Sequence, residues 1–309
     1  MEGDTMPVAP KKLLILAILE ILRKHTNADH RLLQSEIIAK LESEYDLTAT
    51  RKSVRANLAD LEDAGYPVLY DNGWYYDHEF CDAELNLLVD SLIYNPNVPY
   101  HQCRELIGKL RTLGGNCYDP AYGTSQKRPS NPQFLYTMDI LHEAISTEKK
   151  VCFHYGDYDV DKQLHPRLTD SGEPKEYLVN PYRIVFANGR YYLICNVDKY
   201  DNLTHFRMDY IMDVRIEGSP VKLIRDMEDF RNGVDTAKYI AEHPHMFSGK
   251  VETTRIAVRR DFVSELLDWF GLDIEFTKVN DTEAEAIIRT DELSLYYWLN
   301  MYRDYARRI

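Results

Sequence analysis

The chain has 309 residues, of which 44% are hydrophobic and 28% are charged. This length predicts two or three domains with sizeable cores, and the composition excludes collagen-like, disordered and disulfide-scaffold proteins. The longest apolar run, Leu13 to Leu19, is far too short to span a bilayer, and the acidic stretch before it does not resemble a secretion signal. The five cysteines are odd in number and form no CxxC pair, which favours a reduced, cytoplasmic protein.

The net charge of −13 at neutral pH disfavours a nucleic-acid partner at first sight. The charge is unevenly distributed, however. Residues 11–59 contain nine lysines and arginines but only six acidic residues, so this segment is positive while the rest of the chain is strongly acidic. A basic module joined to an acidic body is typical of a DNA-binding regulator, because only the module has to meet phosphates.

Residues 1–80 have the pattern of a winged helix-turn-helix. Apolar residues at helical spacing predict helices over 11–24 and 34–43. A third helix, TRKSVRANLADLEDAG, is predicted to begin after a cap at Thr50 and to stop at its glycine. Two short strands, PVLYD and WYYD, then flank Asn72-Gly73, a dipeptide that favours a tight hairpin turn.

The third helix is expected to enter the major groove of DNA. Its first two turns carry three basic residues and no acid, whereas Asp60, Glu62 and Asp63 come later, where the helix is expected to be clear of the duplex. Recognition helices present their amino-terminal residues to base edges, where arginine donates two hydrogen bonds to guanine. The residues predicted to contact DNA are Arg51, Lys52, Ser53 and Arg55. The alternatives are a merely solvated basic face, or phosphate clamps that carry no sequence information.

A helical linker is expected over residues 81–149. Two helical stretches, DAELNLLVDSLIY and YHQCRELIGKL, are separated by an NPNVP turn. The span 114–133 is rich in Gly, Pro, Ser and Asn and has no periodicity, so it is predicted to be a loop and a domain boundary. A further helix, FLYTMDILHEAISTEKK, completes the linker before the pattern changes to strands.

Residues 150–222 have the pattern of a β domain. Five short segments rich in aromatic and β-branched residues are separated by turns, including a tight turn at Asn188-Gly189. They predict a small, strongly bent antiparallel barrel. Residues 223–309 then alternate strand, helix, strand, strand and helix, which predicts a compact unit with both helices on one face of a small sheet. The expected fold class is therefore multi-domain α+β.

Several segments of this β domain resemble a known family. RYYLI at residues 190–194 is similar to the WYL signature, with Tyr191 where the family often has Trp. FHY at 153–155 and NPY at 180–182 resemble the family's first strand and its proline-containing strand, and FRMDYI at 206–211 resembles its F-R-x-D-R-[IM] segment. The order of winged helix-turn-helix, helical linker, WYL barrel and ferredoxin-like C-terminal extension resembles that of bacterial WYL-domain transcriptional regulators.

The resemblance implies an SH3-like barrel that senses a nucleotide or nucleic-acid effector. The implied ligand-binding residues are Tyr155, Arg190, Tyr192, His205, Arg207 and Asp209. Tyrosine faces would stack on bases, Arg207 would pair with a phosphate and Asp209 would orient the strand. His205 and Arg190 would add positive charge.

One departure from the family bears on this site. Tyr210 stands where the family usually has a second arginine, which weakens the case for a long polynucleotide and leaves a shorter ligand or none. Two structural alternatives also stay open. Tyr155 and Tyr192 can simply fill the barrel, and Arg207 can pair with Asp209 as an ordinary ion pair.

No motif of the common hydrolases, P-loop proteins, zincins or dinucleotide-binding proteins is present. His101-x-Cys103 and His243-Pro-His245 have too few ligands at the wrong spacing for zinc. We therefore expect no enzyme activity, no cofactor and no metal. The expected protein is a cytoplasmic transcriptional regulator that binds double-stranded DNA as a homodimer, since helix-turn-helix proteins commonly read paired half-sites, and that has no membrane partner. The alternative is an accessory protein whose WYL barrel binds RNA or a nuclease.

Overall fold

The computed structural model describes residues 11–114, 130–227, 231, 233 and 235–309. These residues form two compact units. The first holds residues up to 95 together with 100–114, and the second holds residues 96–99 together with those from 130 onward. Most of the predicted loop at 114–133 lies outside the described residues. In the part of the chain that is described, no helix combines the length and the apolar character needed to cross a membrane.

The first unit begins with three helices and a hairpin, in the order expected from the sequence. These elements are α1 (Lys11–His25), α2 (Gln34–Tyr45), α3 (Arg51–Asp63), β1 (Val68–Tyr70) and β2 (Trp74–Tyr76). Their apolar sides share one core, to which the three helices contribute the buried residues Ile18, Leu22, Ile37, Leu41 and Leu58. The amphipathic spacing that predicted the helices therefore also defines how they pack.

Helix α3 begins at the residue that the sequence predicts. The Thr50 hydroxyl oxygen accepts a hydrogen bond from the Ser53 backbone N–H at 3.2 Å, which caps the helix. Val54, Leu58 and Leu61 are buried at spacings of four and three residues, so one side of α3 is fixed in the core. The opposite side, which includes Arg51, Arg55 and Ala59, is exposed to solvent.

The hairpin is held beside the helices. Val68 lies opposite Tyr76 and Tyr70 lies opposite Trp74 in the antiparallel register of β1 and β2. Asn72 adopts a left-handed conformation (φ 53°) in the turn, as an Asn-Gly turn favours. A bridge between Leu32 and Trp74 joins the hairpin to the segment before α2.

Two further helices complete the described part of the first unit. They are α4 (Asp82–Ile93) and α5 (Tyr100–Gly114), in the region predicted to be a helical linker, and they pack against each other. Leu85 and Val89 of α4 and Cys103 and Ile107 of α5 are buried. The two helical stretches of the sequence are confirmed as helices.

The second unit contains a bent antiparallel sheet and a helix. Its elements are α6 (Phe134–Ser146), β3 (Lys149–Tyr158), β4 (Leu164–Pro166), β5 (Glu176–Ala187), β6 (Arg190–Asn196), β7 (Thr204–Arg207) and β8 (Ile211–Pro220). The strands run in the order β8-β3-β5-β6-β7, and the short β4 pairs with the end of β3. β7 and β8 are the strands at the two ends of this order, and a 3-10 turn, Met208–Tyr210, connects them. Register shifts in the pairing of β3 with β8 and of β5 with β6 accompany the bend.

Helix α6 packs on this sheet. Phe134, Leu141 and Ala144 are buried in the same cluster as Val151 and Phe153 of β3. From the sequence we assigned this helix to the linker over 81–149, and the structure differs. Because only two residues separate α6 from β3, the connection is too short for the apolar side of the helix to reach another partner.

The sheet carries a second apolar cluster on its outer side. Side chains alternate along β6, so Leu193 joins the inner core while Tyr192 and Ile194 point the other way. Helix α7 (Thr236–Glu242) and its flanking residues cover this outer side. The covering residues include Met227, Tyr239 and Met246.

The end of the chain forms a four-stranded antiparallel sheet with two helices. Its elements are β9 (Val251–Arg259), α8 (Val263–Phe270), β10 (Glu275–Val279), β11 (Glu283–Asp291), α9 (Glu292–Met301) and β12 (Ala306–Arg308). The strand order is β10-β11-β9-β12. Leu266 of α8 and Trp298 of α9 share one core with Ile256 and Ile288 of the sheet, so both helices lie on one face, as predicted. Strand β12 is an addition that the sequence did not suggest, because it is only three residues long.

His205 on β7 links the outer side of the barrel sheet to its cover. Its Nδ1–H donates to the Met246 carbonyl oxygen at 3.0 Å, and its Nε2 accepts from the Tyr239 hydroxyl at 2.8 Å. Burial, together with the neighbouring His243, lowers the pKa of His205 to about 4. The His205 ring is therefore neutral at pH 7.

We expect the free energy of unfolding of the second unit to decrease as the pH falls from about 6.5 towards 4. In this range the unfolded state binds a proton at His205 that the folded state excludes, so stability present above pH 6.5 is progressively lost. The pKa difference corresponds to roughly 3 kcal/mol at most. Chemical denaturation across this pH range measures the effect. His205→Gln keeps an acceptor for Tyr239 and should flatten the profile; an identical profile in wild type and variant would contradict the buried, neutral ring.

Candidate functional site

The exposed side of α3 carries three basic side chains without an acidic partner. Arg51, Lys52 and Arg55 are all exposed. Among the described residues, no carboxylate forms an ion pair or a hydrogen bond with any of the three. Ser53, the fourth residue expected to contact DNA, is half-buried, and its backbone N–H is occupied by the Thr50 cap.

Four other basic side chains of the first unit lie within ion-pair distance of a carboxylate. Lys24 and Lys40 both lie within ion-pair distance of Glu44, at 3.1 and 3.4 Å. Arg31 pairs with Asp71 at 2.5 Å, and a longer contact of 3.9 Å joins the side chains of residues 20 and 23. Among the described side chains of the three helices and the hairpin, the basic groups without a carboxylate partner therefore lie on α3, where they are available to an external anion.

A groove of about 720 Å³ runs along this side of α3. It is lined by the start of α2, by α3 and by the hairpin, with the residues Leu33, Gln34, Ser35, Arg51, Arg55, Ala59, Glu62, Tyr70 and Trp74. Ala56 and Ala59 are exposed on α3, and their small side chains let another molecule approach the helix closely. Glu62 lines the same groove seven residues beyond Arg55, two helical turns along the same side of α3.

In the second unit, a buried carboxylate holds two arginines together. Asp209 Oδ2 accepts from Arg207 Nη2 at 2.6 Å and from Arg190 Nη1 at 3.2 Å, and its Oδ1 accepts from Arg207 Nε at 3.1 Å. The Asp209 side chain is only 7% exposed, whereas the side chains of Arg190 and Arg207 are 32% and 27% exposed. We call these three residues the Asp209 cluster.

The Asp209 cluster has a net positive charge. One carboxylate neutralises one of the two guanidinium groups, and each arginine keeps N–H donors that do not bond to Asp209. Burial disfavours the charge of Arg207, but its bonds to Asp209 outweigh this and raise its pKa. Arg207 also lies over the Tyr210 ring, 4.1 Å from its centroid. This arrangement fixes two cationic groups at a partly open surface.

The two tyrosines predicted for ligand stacking are buried. Tyr155 belongs to the inner core of the sheet, and its hydroxyl oxygen accepts from the Arg207 backbone N–H at 3.3 Å. Tyr192 belongs to the outer cluster beneath α7, opposite Arg207 in the β6–β7 register. Burial raises the pKa of both hydroxyls. Their ring faces are therefore not free to stack on bases; Tyr155 fills the core, as in the structural alternative.

His205 is not part of the Asp209 cluster. From the sequence we expected it to add positive charge, and the structure corrects this: both ring nitrogens are bonded to the cover around α7, and burial keeps the ring neutral. Sequence reasoning missed two neighbours of the cluster, Pro96 and Tyr158. The Pro96 carbonyl oxygen accepts from Arg190 at 3.5 Å, and Tyr158 and Tyr210 are in ring contact at 5.7 Å. Pro96 lies in the NPNVP turn between two helical stretches, and nothing in the sequence there indicates a contact with Arg190.

Comparisons with known proteins give one domain assignment. No curated protein matches this chain. A solved structure titled proteasome accessory factor B/C (PafBC) of Arthrobacter aurescens aligns over 100% of this chain with 14% identity and a TM-score of 0.30, and the chain spans 48% of that chain. Residues 136–216, from α6 to β8, match the family model described as WYL domain. The part of the second unit that contains the Asp209 cluster is therefore a WYL domain.

Proposed function

We propose that this chain is a transcriptional regulator that binds double-stranded DNA through α3. The observation that carries the proposal is the pairing difference in the first unit: Arg51, Lys52 and Arg55 have no carboxylate partner among the described residues, while neighbouring basic residues do. Unpaired, exposed arginine and lysine side chains on one helix side are what phosphate contacts require. In this proposal the chain is a binding protein and not an enzyme.

The three helices and the hairpin act as a winged helix-turn-helix in this proposal. Helix α3 enters the major groove with its amino-terminal turns foremost, so that Arg51 and Arg55 reach base edges or phosphates. Ala56 and Ala59 place only small side chains in the middle of the exposed side of α3. The helix axis can therefore approach the groove closely. The hairpin β1–β2, whose Tyr70 and Trp74 line the same surface, lies beside the duplex.

The distribution of charge supports selective binding. The chain as a whole has a net charge of −13, so most of its surface repels a polyanion. Binding depends on the α3 side alone, and each phosphate that it neutralises contributes to the salt dependence. Glu62, on the same side as Arg55, sets the far limit of the contacted part of α3 by repelling phosphates.

The WYL domain acts as the sensor. An anionic effector, such as a nucleotide or a short nucleic acid, binds the Asp209 cluster through the N–H groups of Arg190 and Arg207 that Asp209 does not use. The buried residues Tyr155 and Tyr192 support the strands that carry the cluster and do not stack on the effector. Effector binding changes DNA affinity if the effector binds one arrangement of a homodimer better than another. In this proposal the ferredoxin-like extension, residues 223–309, belongs to the sensor part of the chain.

The double variant Arg51→Met/Arg55→Met should abolish specific DNA binding. We expect affinity for a duplex selected from a random library to fall at least about 30-fold, since each lost arginine contact costs about 1–3 kcal/mol. The slope of log affinity against log salt should fall by about two. Fluorescence anisotropy with labelled duplexes at several salt concentrations measures both.

The matched control is Arg104→Met/Lys109→Met. It removes the same two charges from exposed positions on α5 in the same unit, and its affinity should stay within about threefold of wild type. If the α3 variant binds DNA as wild type does, or if both variants weaken binding equally, α3 is not the reading helix. Binding of RNA but not DNA by the wild type would favour the accessory-protein alternative.

Arg207→Met should weaken binding of an anionic effector to the WYL domain. Calorimetry with a short single-stranded oligonucleotide and with nucleoside monophosphates tests this, and the expected loss is about tenfold or more, as for a charge-assisted pair of hydrogen bonds. Arg215→Met is the control, because Arg215 is an exposed arginine of β8 paired with Glu176. Equal affinities for the two variants would place the effector site elsewhere.

A further inference from the structure

A second cleft lies beside His205, on the outer side of the barrel sheet. It has a volume of about 880 Å³ and is formed by the end of β7, by α7, by the segment before β9 and by β11. The polar residues that carry the argument are Lys238, Glu242, His243, Lys250 and Arg289. This volume is in the range of small-molecule sites, which occur preferentially where two substructures meet.

The base of the cleft holds a histidine with one ring nitrogen unused. His243 is only 6% exposed. Its Nδ1–H donates to the Tyr239 carbonyl oxygen at 2.9 Å, and because a carbonyl only accepts, the neutral ring has its lone pair on Nε2. Among the described residues, none forms a hydrogen bond with this Nε2. A buried acceptor that lines a cleft and lacks a partner is available to a ligand that donates a hydrogen bond.

The His243 ring is held in a fixed orientation. It stacks on Tyr239 with ring centroids 4.3 Å apart and an interplanar angle of 25°, and His205 meets it edge-on at 5.4 Å. Both nitrogens of His205 are already bonded, so His205 supports the base of the cleft and does not compete for a ligand. The unused acceptor is therefore preorganised.

The rim of the cleft carries three cationic side chains, one of which has unused hydrogen-bond donors. Arg289 Nε donates to Glu242 Oε1 at 2.8 Å, which leaves both terminal NH₂ groups of Arg289 without a bond to any described residue. Lys238 lies 4.0 Å from the same carboxylate, so Glu242 serves two cations. Lys250 adds a third cation that is 79% exposed and pairs with Glu252 outside the cleft lining.

The other acidic residue of the lining is committed to the fold. Asp235 caps α7 by accepting from the backbone N–H groups of Ala237 and Lys238, at 3.1 and 3.2 Å. Counting Glu252, the partner of Lys250, three cations meet three carboxylates at this rim. What the rim offers an anion is therefore the set of unused N–H donors of Arg289, in a chain whose net charge of −13 disfavours anions elsewhere.

We propose that this cleft binds a small hydroxylated phosphate monoester. The phosphate oxygens accept from the free NH₂ groups of Arg289 and from Lys250, which suit a group with three acceptor oxygens. A hydroxyl group of the same molecule donates to His243 Nε2. The site is separate from the Asp209 cluster and does not depend on the proposed effector site or on DNA binding.

Calorimetry of the full chain with ribose 5-phosphate tests the proposal, with inorganic phosphate and ribose as partial probes. Ribose 5-phosphate should bind at least about tenfold more tightly than either partial probe, because each lacks one of the two recognised groups. Arg289→Met should weaken it about tenfold. His243→Asn keeps a donor for the Tyr239 carbonyl but removes the acceptor, and should weaken ribose 5-phosphate without affecting inorganic phosphate. His243→Gln restores an acceptor near the Nε2 position and should recover part of the affinity.

One control separates this site from general charge effects. Arg259→Met removes an exposed arginine at the far end of β9 and should bind ribose 5-phosphate as wild type does. Thermal unfolding of each variant shows that it is folded. The proposal is overturned if ribose 5-phosphate does not bind at about 10 mM, if inorganic phosphate binds equally well, or if Arg259→Met weakens binding as much as Arg289→Met.

Discussion

The alternation of side chains along β6 and β7 is the constraint on which the second unit depends. Successive residues of a strand point to opposite sides, and here both sides are occupied. Leu193 and Phe206 fill the inner core, while Tyr192 and His205 meet the cover around α7. Arg207 is the last residue of β7, and its side chain is partly exposed at the surface.

This position explains why the Asp209 cluster forms. Arg207 leaves β7 directly before the 3-10 turn that carries Asp209, so the two side chains meet within two residues of chain. The hairpin between β5 and β6 brings Arg190 to the same carboxylate from the neighbouring strand. A carboxylate that is 7% exposed is stable there only because two guanidinium groups compensate its desolvation. The cluster is thus both a structural ion pair and a source of unused N–H donors.

The same cover creates the second cleft. Tyr239 donates to His205 and stacks on His243, so one aromatic residue holds α7 against the barrel and orients the ring at the base of the cleft. Arginines with unused N–H donors therefore occur in two separate places in the second unit. The arginine of each is oriented by a carboxylate, Asp209 in one and Glu242 in the other, which removes part of the side-chain entropy that binding an anion would otherwise cost.

Elements whose structure depends on near neighbours can be predicted from the sequence. The cap at Thr50, the apolar spacing of α3, the Asn-Gly turns and the strand-rich β domain depend on near neighbours, and their physical signals lie within a few residues of each other. The three cations of α3 can also be located from the sequence, because they lie within five consecutive residues. Tertiary structure alone decided which side chains are free. Whether Arg51 is unpaired, Tyr155 buried or His205 neutral depends on groups distant in the chain, such as Tyr239 and Met246, and no local pattern specifies such contacts.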